Sequence, residues 1–277
     1  MTVIEAIILG FVQGAAEFLP ISSSGHLVIT QVLFGITENN LAFTVLLHLA
    51  TLFAIIAAYH KTVFGLIKEF FLMIGDLFRG RGLGLRDITY RRYIFYIIIG
   101  CIPAGIVGVL FEDVFDTLFS NITMVCIMLI VTGFVLLASE KLSRRTKGTI
   151  EDLTVPKSFI TGLFQMCAIM PGLSRSGTTM LGGLAVGLKK EDALEFSFML
   201  ALPATAGSVL LELGDIAEAI REISIVPVLA GFVTALVVGY LSIVLFKKIV
   251  RQGSLMPFAV YCWLVATILI LNLDKLV

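Results

Sequence analysis

Six stretches of the sequence are apolar for long enough to cross a lipid bilayer. They cover roughly residues 42–60, 92–110, 121–139, 195–213, 226–246 and 257–274, and a transmembrane helix needs about 20 such residues. The composition agrees, since 58% of the residues are hydrophobic, 14% are charged and the mean hydropathy is +1.02. A soluble domain carries about 25% charged residues. We therefore predict an all-α integral membrane protein with six transmembrane helices.

Two further apolar regions, 3–36 and 157–188, are each interrupted near the middle. Both interruptions combine a proline with small polar residues, Pro20 to His26 (PISSSGH) and Pro171 to Gly177 (PGLSRSG). The residue before a proline disfavours helix, so helices should end near Leu19 and Met170. The remaining fragments, 26–36 and 178–188, are too short to cross a bilayer alone. We expect two re-entrant helix–turn–helix segments.

The charges are segregated between alternate loops. Of the 20 basic residues, 17 lie in loops 61–92 and 140–157, at 189–190 and at 247–251. The other loops are acidic, with Glu112, Asp113, Asp116, Glu212, Asp215, Glu218 and Glu222. Basic loops of membrane proteins face the cytoplasm, so six crossings and two re-entrant segments place both termini outside. The formal net charge of zero gives no indication of a nucleic-acid partner.

The two interrupted regions resemble one another at an offset of 152 residues. The matching pairs are Gly10 with Gly162, Gln13 with Gln165, Ser22 with Ser174, Ser24 with Ser176, and Gly25 with Gly177. Three predicted crossings separate the two units, so the second unit is inserted upside down, as in inverted-repeat membrane proteins with broken helices. We predict a single polytopic domain, 1–277, with repeat one at about 1–140 and repeat two at about 155–277.

Glu17 and Arg175 are the charged residues inside the interrupted regions, apart from Glu5 and Lys157 near their starts. A charge at the centre of a bilayer costs about 2.5–3.5 kcal/mol, so each needs a partner or a hydrated cavity. A purely structural ion pair is one interpretation. We favour an anion site, because each Ser/Gly turn opens a new helix whose N-terminus attracts anions. The guanidinium of Arg175 can in addition hold two phosphate oxygens at once.

The neighbouring polar side chains could carry out chemistry on a phosphate. Hydroxyls surround the predicted anion site, on Ser22, Ser23, Ser24, Ser174, Ser176, Thr178 and Thr179. A serine that attacks phosphorus needs a base, and His26 lies one helical turn after Ser23. Glu17 could bind a hard divalent cation or orient His26, and Gln13 shares its helix face. Direct attack by His26 or by metal-activated water stays open, whereas His48 is interpreted as a buried structural histidine.

The segments Gln13 to His26 (QGAAEFLPISSSGH) and Pro171 to Thr179 (PGLSRSGTT) resemble the two signature motifs of bacterial undecaprenyl-diphosphate phosphatases, the bacitracin-resistance family. The resemblance extends over essentially the whole chain, including 195–203 (EFSFMLALP). It implies an enzyme that removes the terminal phosphate of a long-chain polyprenyl diphosphate and regenerates the monophosphate carrier for peptidoglycan and other envelope polymers. It also implies a multi-pass protein of the bacterial inner (plasma) membrane, among membrane lipids, with an active site facing outside.

The resemblance also implies roles for individual residues. The metal-binding pair of the family falls on Gln13 and Glu17, its cofactor being a divalent cation, Mg²⁺ or Ca²⁺; an amide is a weaker ligand than a carboxylate, which places more weight on Glu17. Ser23 would be the attacking hydroxyl, with His26 as its base or as the acid for the leaving group. The residues that would bind the phosphates are Ser22, Ser174, Arg175, Ser176 and Thr179.

Three other classes of protein were compared with these features. Lipid phosphatases that resemble vanadium chloroperoxidase need a second histidine after their Ser-Arg element, but the last histidine here is His60. A flippase or transporter of the polyprenyl monophosphate would suit an inverted repeat and would not need Ser23. A scaffold protein would not need Glu17 or Arg175 inside the membrane. The sequence leaves the oligomeric state open, including a homodimer.

Overall fold

The computed structural model of the protein describes residues 1–35, 41–85, 89–119, 121–212 and 224–273, without the side chains of 41, 42, 112 and 116. Within these ranges the chain is helical, with one isolated β-bridge between Gly148 and Leu188 and one 3₁₀ turn, Ile150–Asp152. The α-helices of the described ranges are α1 (Val3–Phe18), α2 (Ser23–Leu33), α3 (Leu41–Ala58), α4 (His60–Phe78), α5 (Thr89–Leu110), α6 (Glu112–Phe119), α7 (Ile122–Ser143), α8 (Val155–Cys167), α9 (Arg175–Ala185), α10 (Lys190–Leu211), α11 (Ile225–Gln252) and α12 (Met256–Leu271).

The helical class and the membrane class are confirmed. Four helices, α5, α7, α10 and α11, are long and apolar enough to cross a bilayer, and α3 with α4 adds a fifth candidate that bends by 95°. The stretch predicted at 257–274 is helix α12, whose 16 residues make it a shorter apolar helix. Each of the six predicted stretches thus contains a helix, and four or five of these helices meet the length and composition of a crossing.

Both predicted interruptions are confirmed as breaks between two helices. Helix α1 ends at Phe18 and α2 begins at Ser23, while α8 ends at Cys167 and α9 begins at Arg175. Serine hydroxyls cap the new helices: Gly25 N–H donates to Ser22 Oγ over 3.3 Å, and Gly177 N–H donates to Ser174 Oγ over 3.2 Å. These caps satisfy backbone donors at helix starts that would otherwise lack partners. The two breaks therefore share one local construction.

The predicted loop 61–92 contains a helix that the sequence interpretation did not include. Helix α4 was missed because Lys61, Lys68, Glu69 and Asp76 interrupt its apolar pattern. Its apolar side chains are exposed on one side, as at Phe71, a pattern typical of helices that lie at a bilayer surface. Of the acidic loop predicted after α10, Asp215, Glu218, Arg221 and Glu222 lie outside the described residues.

Close glycine contacts fix the first helix of each broken pair. Helix α1 packs on α11 and helix α8 packs on α5. A Cβ atom at Gly10 would collide with the carbonyl oxygen of Gly231, and one at Gly162 would collide with the carbonyl oxygen of Gly100. Glycine is the residue that allows two helix backbones to approach this closely. The same kind of contact therefore anchors α1 and α8, at glycines that are 152 positions apart in the sequence.

Candidate active site

The two helix breaks meet inside the protein. Gly172 N–H, in the second break, donates to Ser24 Oγ, in the first, over 3.3 Å. Thr132 of α7 supports the second break from behind: its hydroxyl donates to the carbonyl oxygen of Gly172 (3.1 Å) and accepts from Ser174 N–H (3.0 Å). These bonds bring the N-termini of α2 and α9 together, so groups from both interrupted regions face one another.

The carboxylate of Glu17 is the centre of the polar cluster, and the residue is 7% exposed. One oxygen forms an ion pair with the guanidinium of Arg175 from the other break. The other oxygen accepts from Ser23 Oγ at 2.6 Å and from Gln13 Nε2 at 3.1 Å. A buried carboxylate is tolerable only with such partners. The sequence prediction that Glu17 and Arg175 need partners is confirmed, and each is the partner of the other.

Two residues from neighbouring helices complete this cluster. Arg175 Nη1 donates to Thr205 Oγ1 on α10 over 2.8 Å, so the guanidinium is held from two sides. His48 on α3 lies with Nε2 3.8 Å from a Glu17 oxygen, while its Nδ1 donates to the Thr44 carbonyl over 2.9 Å. The predicted structural hydrogen bond of His48 is therefore present, and the same ring also faces the site.

His26 does not contact Ser23 as the sequence spacing predicted. Its Nδ1 lies 2.8 Å from the carbonyl oxygen of Ser22, and its Nε2 lies 2.8 Å from the hydroxyl of Tyr261 on α12. The His26 and Tyr261 rings are also stacked, with centroids 5.6 Å apart. The α-helical turn from Ser23 directs the imidazole back over the break and toward α12, so the Ser23 hydroxyl pairs with Glu17 instead.

A cavity of about 580 Å³ opens beside this cluster. Its wall contains Glu17, Ser23, Ser174 and Arg175, together with His48. The rest of the wall is largely apolar and includes Gly105, Gly108 and Val109 on α5 and Ile169 just after the end of α8. A pocket with a small polar group at one side and an apolar wall suits an amphiphilic ligand that carries a charged head.

Five of the predicted site residues do not belong to this wall as the structure describes it, namely Gln13, Ser22, His26, Ser176 and Thr179. They support it from behind: Gln13 binds Glu17, and the hydroxyl of Ser22 caps α2. Ser176 shares a 3.3 Å hydroxyl contact with Ser174, and Thr179 is completely buried. The binding of phosphate by Ser22, Ser176 and Thr179 stays a prediction.

The sequence interpretation missed three residues that position the site, Thr132, Thr205 and Tyr261. Each shares its helix with other hydroxyl residues. Some of these, such as Ser139 on α7 and Thr267 on α12, bond to their own helix backbone. The spacing of the three missed residues to the motifs carries no signal, because the contacts join different helices. The one sequence hint is Pro203, which precedes Thr205 by two positions inside α10.

Comparison with known proteins places the chain in a family. The model of the family described as bacitracin resistance protein BacA matches residues 6–268. The undecaprenyl-diphosphatase of Methanobrevibacter smithii is 42% identical over 274 residues, which cover 98% of each chain. Those of Methanosphaera stadtmanae and Alkaliphilus metalliredigens are 42% and 40% identical, again over 98% of each chain. The match along almost its whole length shows that this chain belongs to the bacitracin resistance protein BacA family.

Proposed function

We propose that the protein is an undecaprenyl-diphosphate phosphatase, which removes the terminal phosphate of the lipid diphosphate and leaves the lipid monophosphate for cell-wall synthesis. The observation that carries this function is the contact of the Ser23 hydroxyl with Glu17 beside the guanidinium of Arg175, in the wall of one cavity. A nucleophile, a proton acceptor and a phosphate-binding cation are thus adjacent. The names of the relatives reported above support the same activity and the same lipid substrate.

In the reaction, Arg175 binds the terminal phosphate and Ser23 Oγ attacks its phosphorus. The bond between that phosphorus and the bridging oxygen breaks, and its electron pair leaves with the lipid monophosphate. The Ser23 proton passes to Glu17, and water then hydrolyses the phosphoserine to free phosphate. Positioning and electrostatic stabilisation supply most of the catalysis in phosphoryl transfer. The guanidinium of Arg175, held in place beside the Ser23 hydroxyl, can provide both.

Substrate binding also changes the partners of Glu17. In the structure Arg175 is paired with Glu17, and a diphosphate competes for the same guanidinium. When Arg175 turns toward the phosphate, the Glu17 oxygen that contacts Ser23 Oγ at 2.6 Å stays in place to accept the proton of that hydroxyl.

We assign His26 to the support of the nucleophile turn. The Ser22 carbonyl can only accept a hydrogen bond, so Nδ1 of His26 carries the proton, and Nε2 of the neutral ring accepts from the Tyr261 hydroxyl. Ser22 has φ 73°, a left-handed conformation that is costly for a residue with a side chain. The hydrogen bond from His26 holds this strained residue, and with it the position of Ser23.

The residues present fit a divalent cation that is shared with the substrate. Gln13 Oε1 is buried without a hydrogen-bond partner among the described residues, next to the Glu17 carboxylate. No cluster of three or more His, Cys, Asp or Glu side chains occurs in the described ranges. Mg²⁺ commonly uses one or two protein oxygens plus substrate phosphates, and Glu17 with Gln13 can supply these. The bound cation, Mg²⁺ or Ca²⁺, would neutralise phosphate charge.

For the membrane arrangement we propose six crossings, with α1–α2 and α8–α9 as re-entrant pairs in two inverted repeats, about 1–140 and 155–277. The matched serine caps and glycine contacts of the two pairs support this. The cavity wall reaches Phe115 and Phe119 on α6, in the first acidic segment, and Leu211 at the end of α10, which leads into the second. By the distribution of positive charge these segments face outward, which supports a plasma-membrane enzyme that acts at the outer face.

The first test is phosphate release from undecaprenyl diphosphate by the purified protein in detergent, with and without EDTA. We expect Ser23→Ala and Arg175→Ala each to abolish release. Ser23→Ala should stay folded, whereas Arg175→Ala should melt below the wild type, because it leaves the buried Glu17 carboxylate without its cationic partner. Absence of release by well-folded wild-type protein with any divalent cation would contradict the phosphatase. Transport of the monophosphate that persists in Ser23→Ala proteoliposomes would then favour a carrier.

A further inference from the structure

Gln165 is a buried amide that the proposed mechanism does not use. It lies on α8, at the position that corresponds to Gln13 on α1, and only 3% of it is exposed. It belongs to the wall of the 580 Å³ cavity. Its Oε1 has no hydrogen-bond partner among the described residues, and Nε2 contacts only the thiol of Cys101, at 4.0 Å. Gln165 therefore lines the cavity with its amide almost unpaired.

A structural role does not explain this amide. Burial of a polar group without partners is costly, and buried amides in native proteins are normally satisfied. Gln13 shows the contrast, because its Nε2 donates to Glu17 over 3.1 Å and so helps to hold the catalytic carboxylate. A thiol is a weak acceptor, so Cys101 gives Gln165 no comparable bond. An acceptor on a ligand in the cavity can give the Gln165 Nε2 the partner that Cys101 does not.

The location of Gln165 indicates which part of the ligand it meets. Four positions further along the chain, just after the end of α8, Ile169 lines the cavity. On α5 the wall runs from Cys101 to Gly105 and Val109. Toward the helix break, the wall contains Arg175 and Ser23. Gln165 therefore lies where the wall changes from the polar cluster to an apolar surface that suits an isoprenoid chain.

We infer that Gln165 binds the phosphate that stays attached to the lipid, its Nε2 donating to an oxygen of that group. This inference rests on the proposed phosphatase function, since it places the terminal phosphate at Ser23 and Arg175. The head of the substrate would then be held at two points, with the bond to be broken between them. The same contact remains after hydrolysis, so Gln165 also binds the lipid monophosphate product.

The contact makes a specific kinetic prediction for Gln165→Leu, which removes the amide and keeps a similar volume. The KM for undecaprenyl diphosphate and the inhibition constant of undecaprenyl monophosphate should both rise by the same factor, about ten- to a hundredfold, as for loss of a hydrogen bond to a charged group. Inhibition by inorganic phosphate should not change, because free phosphate binds at Arg175. Gln165→Glu should raise the KM and the inhibition constant of the monophosphate further, because its carboxylate repels the phosphate of the lipid.

The matched control is Gln31→Leu, since Gln31 donates to Thr44 Oγ1 over 3.3 Å outside the cavity wall. It should keep all three constants. If Gln165→Leu melts below the wild type, Gln165→Met replaces it in the same measurements. Unchanged lipid constants in a folded Gln165 variant would overturn the inference while wild-type turnover upholds the phosphatase. The inference would also be overturned if the inhibition constant of inorganic phosphate rose while both lipid constants stayed the same. That result would place Gln165 at the terminal phosphate.

A binding measurement separates the two proposals. If the wild type releases no phosphate, its affinity for undecaprenyl monophosphate in detergent can be measured by calorimetry. Loss of that affinity in Gln165→Leu, but not in Gln31→Leu, would uphold the Gln165 site although the phosphatase had failed. Equal affinities in the wild type and both variants would reject the site.

Discussion

Glu17 and Arg175 lie 158 positions apart in the sequence and form an ion pair between the two helix breaks. Neither charge could be buried alone without a large desolvation cost. The pair therefore couples the folding of the two broken segments to the construction of the site. It also means that a substitution of either residue affects stability as well as chemistry, so each variant below needs a melting measurement beside its activity.

The planar guanidinium of Arg175 should be indispensable. Arg175→Lys keeps the charge but cannot hold Glu17 or Thr205 and two phosphate oxygens in the same geometry, so turnover should fall about a hundredfold or more. Thr205→Val removes only the 2.8 Å bond to Arg175 and should cause a smaller loss. Steady-state hydrolysis of undecaprenyl diphosphate measures both. Turnover near the wild-type rate in Arg175→Lys would show that two-point binding of the phosphate by Arg175 is not needed.

Adjacent serines should behave differently. Ser23→Ala removes the hydroxyl that contacts Glu17 at 2.6 Å and should abolish turnover, with a fall in melting temperature no larger than the loss of this one hydrogen bond explains. Ser22→Ala removes the cap of α2 and should cost about 1 kcal/mol of stability while it leaves measurable turnover. The loss of stability in Ser22→Ala can be compared with that in Ser174→Ala, which removes the equivalent cap of α9. Inactive Ser22→Ala together with active Ser23→Ala would reverse the assignment of the nucleophile.

The two roles considered for His26 can be separated by an amide. Asparagine can donate to the Ser22 carbonyl as Nδ1 does, but it cannot carry a proton between groups. If His26 supports the turn, His26→Asn should keep clearly more turnover than His26→Ala. Tyr261→Phe keeps the stacked ring and loses the 2.8 Å hydrogen bond, so a decrease of about tenfold is expected. Equal inactivity of both His26 variants would restore the proton-transfer role.

The cation dependence should respond to Gln13. A carboxylate binds Mg²⁺ or Ca²⁺ more strongly than an amide does, so Gln13→Glu should lower the cation concentration that gives half-maximal turnover after treatment with EDTA. Gln31→Glu, on α2, is the matched control and should leave this concentration unchanged. The measurement is a titration of turnover with each cation. An unchanged midpoint in Gln13→Glu would place the cation away from Gln13.

Much of this architecture follows from local features of the sequence. Pro20 and Pro171 are each followed by a run of Ser and Gly residues, so both breaks were predictable, whereas Pro103 and Pro203 lie inside helices. The charge of Glu17 required a partner. Contacts between distant helices were not predictable in this way. The Tyr261 hydroxyl meets His26 across 235 positions, and nothing local marks it. The pairing of Ser23 with Glu17 rather than His26 depends on the direction in which the chain leaves the break, which spacing alone does not fix.

The glycine contacts allow a test of the packing that holds the site together. Gly10→Ala and Gly162→Ala each place a methyl group against the backbone of a neighbouring helix, at Gly231 and Gly100 respectively. Each should therefore lower the free energy of unfolding by about 1–3 kcal/mol. Gly75→Ala is the control, because its added methyl group would have no neighbour within 4 Å, and alanine favours helix over glycine.

Thermal unfolding in detergent, followed by circular dichroism, measures all three variants. Gly10→Ala and Gly162→Ala should both melt below the wild type, by similar amounts, because the two contacts have the same form. Gly75→Ala should melt at or above it. Turnover of the two destabilised variants should fall together, since α1 carries Glu17 and α8 leads to Arg175. Wild-type stability in Gly10→Ala or Gly162→Ala would show that the helices can separate there without loss, contrary to the close packing.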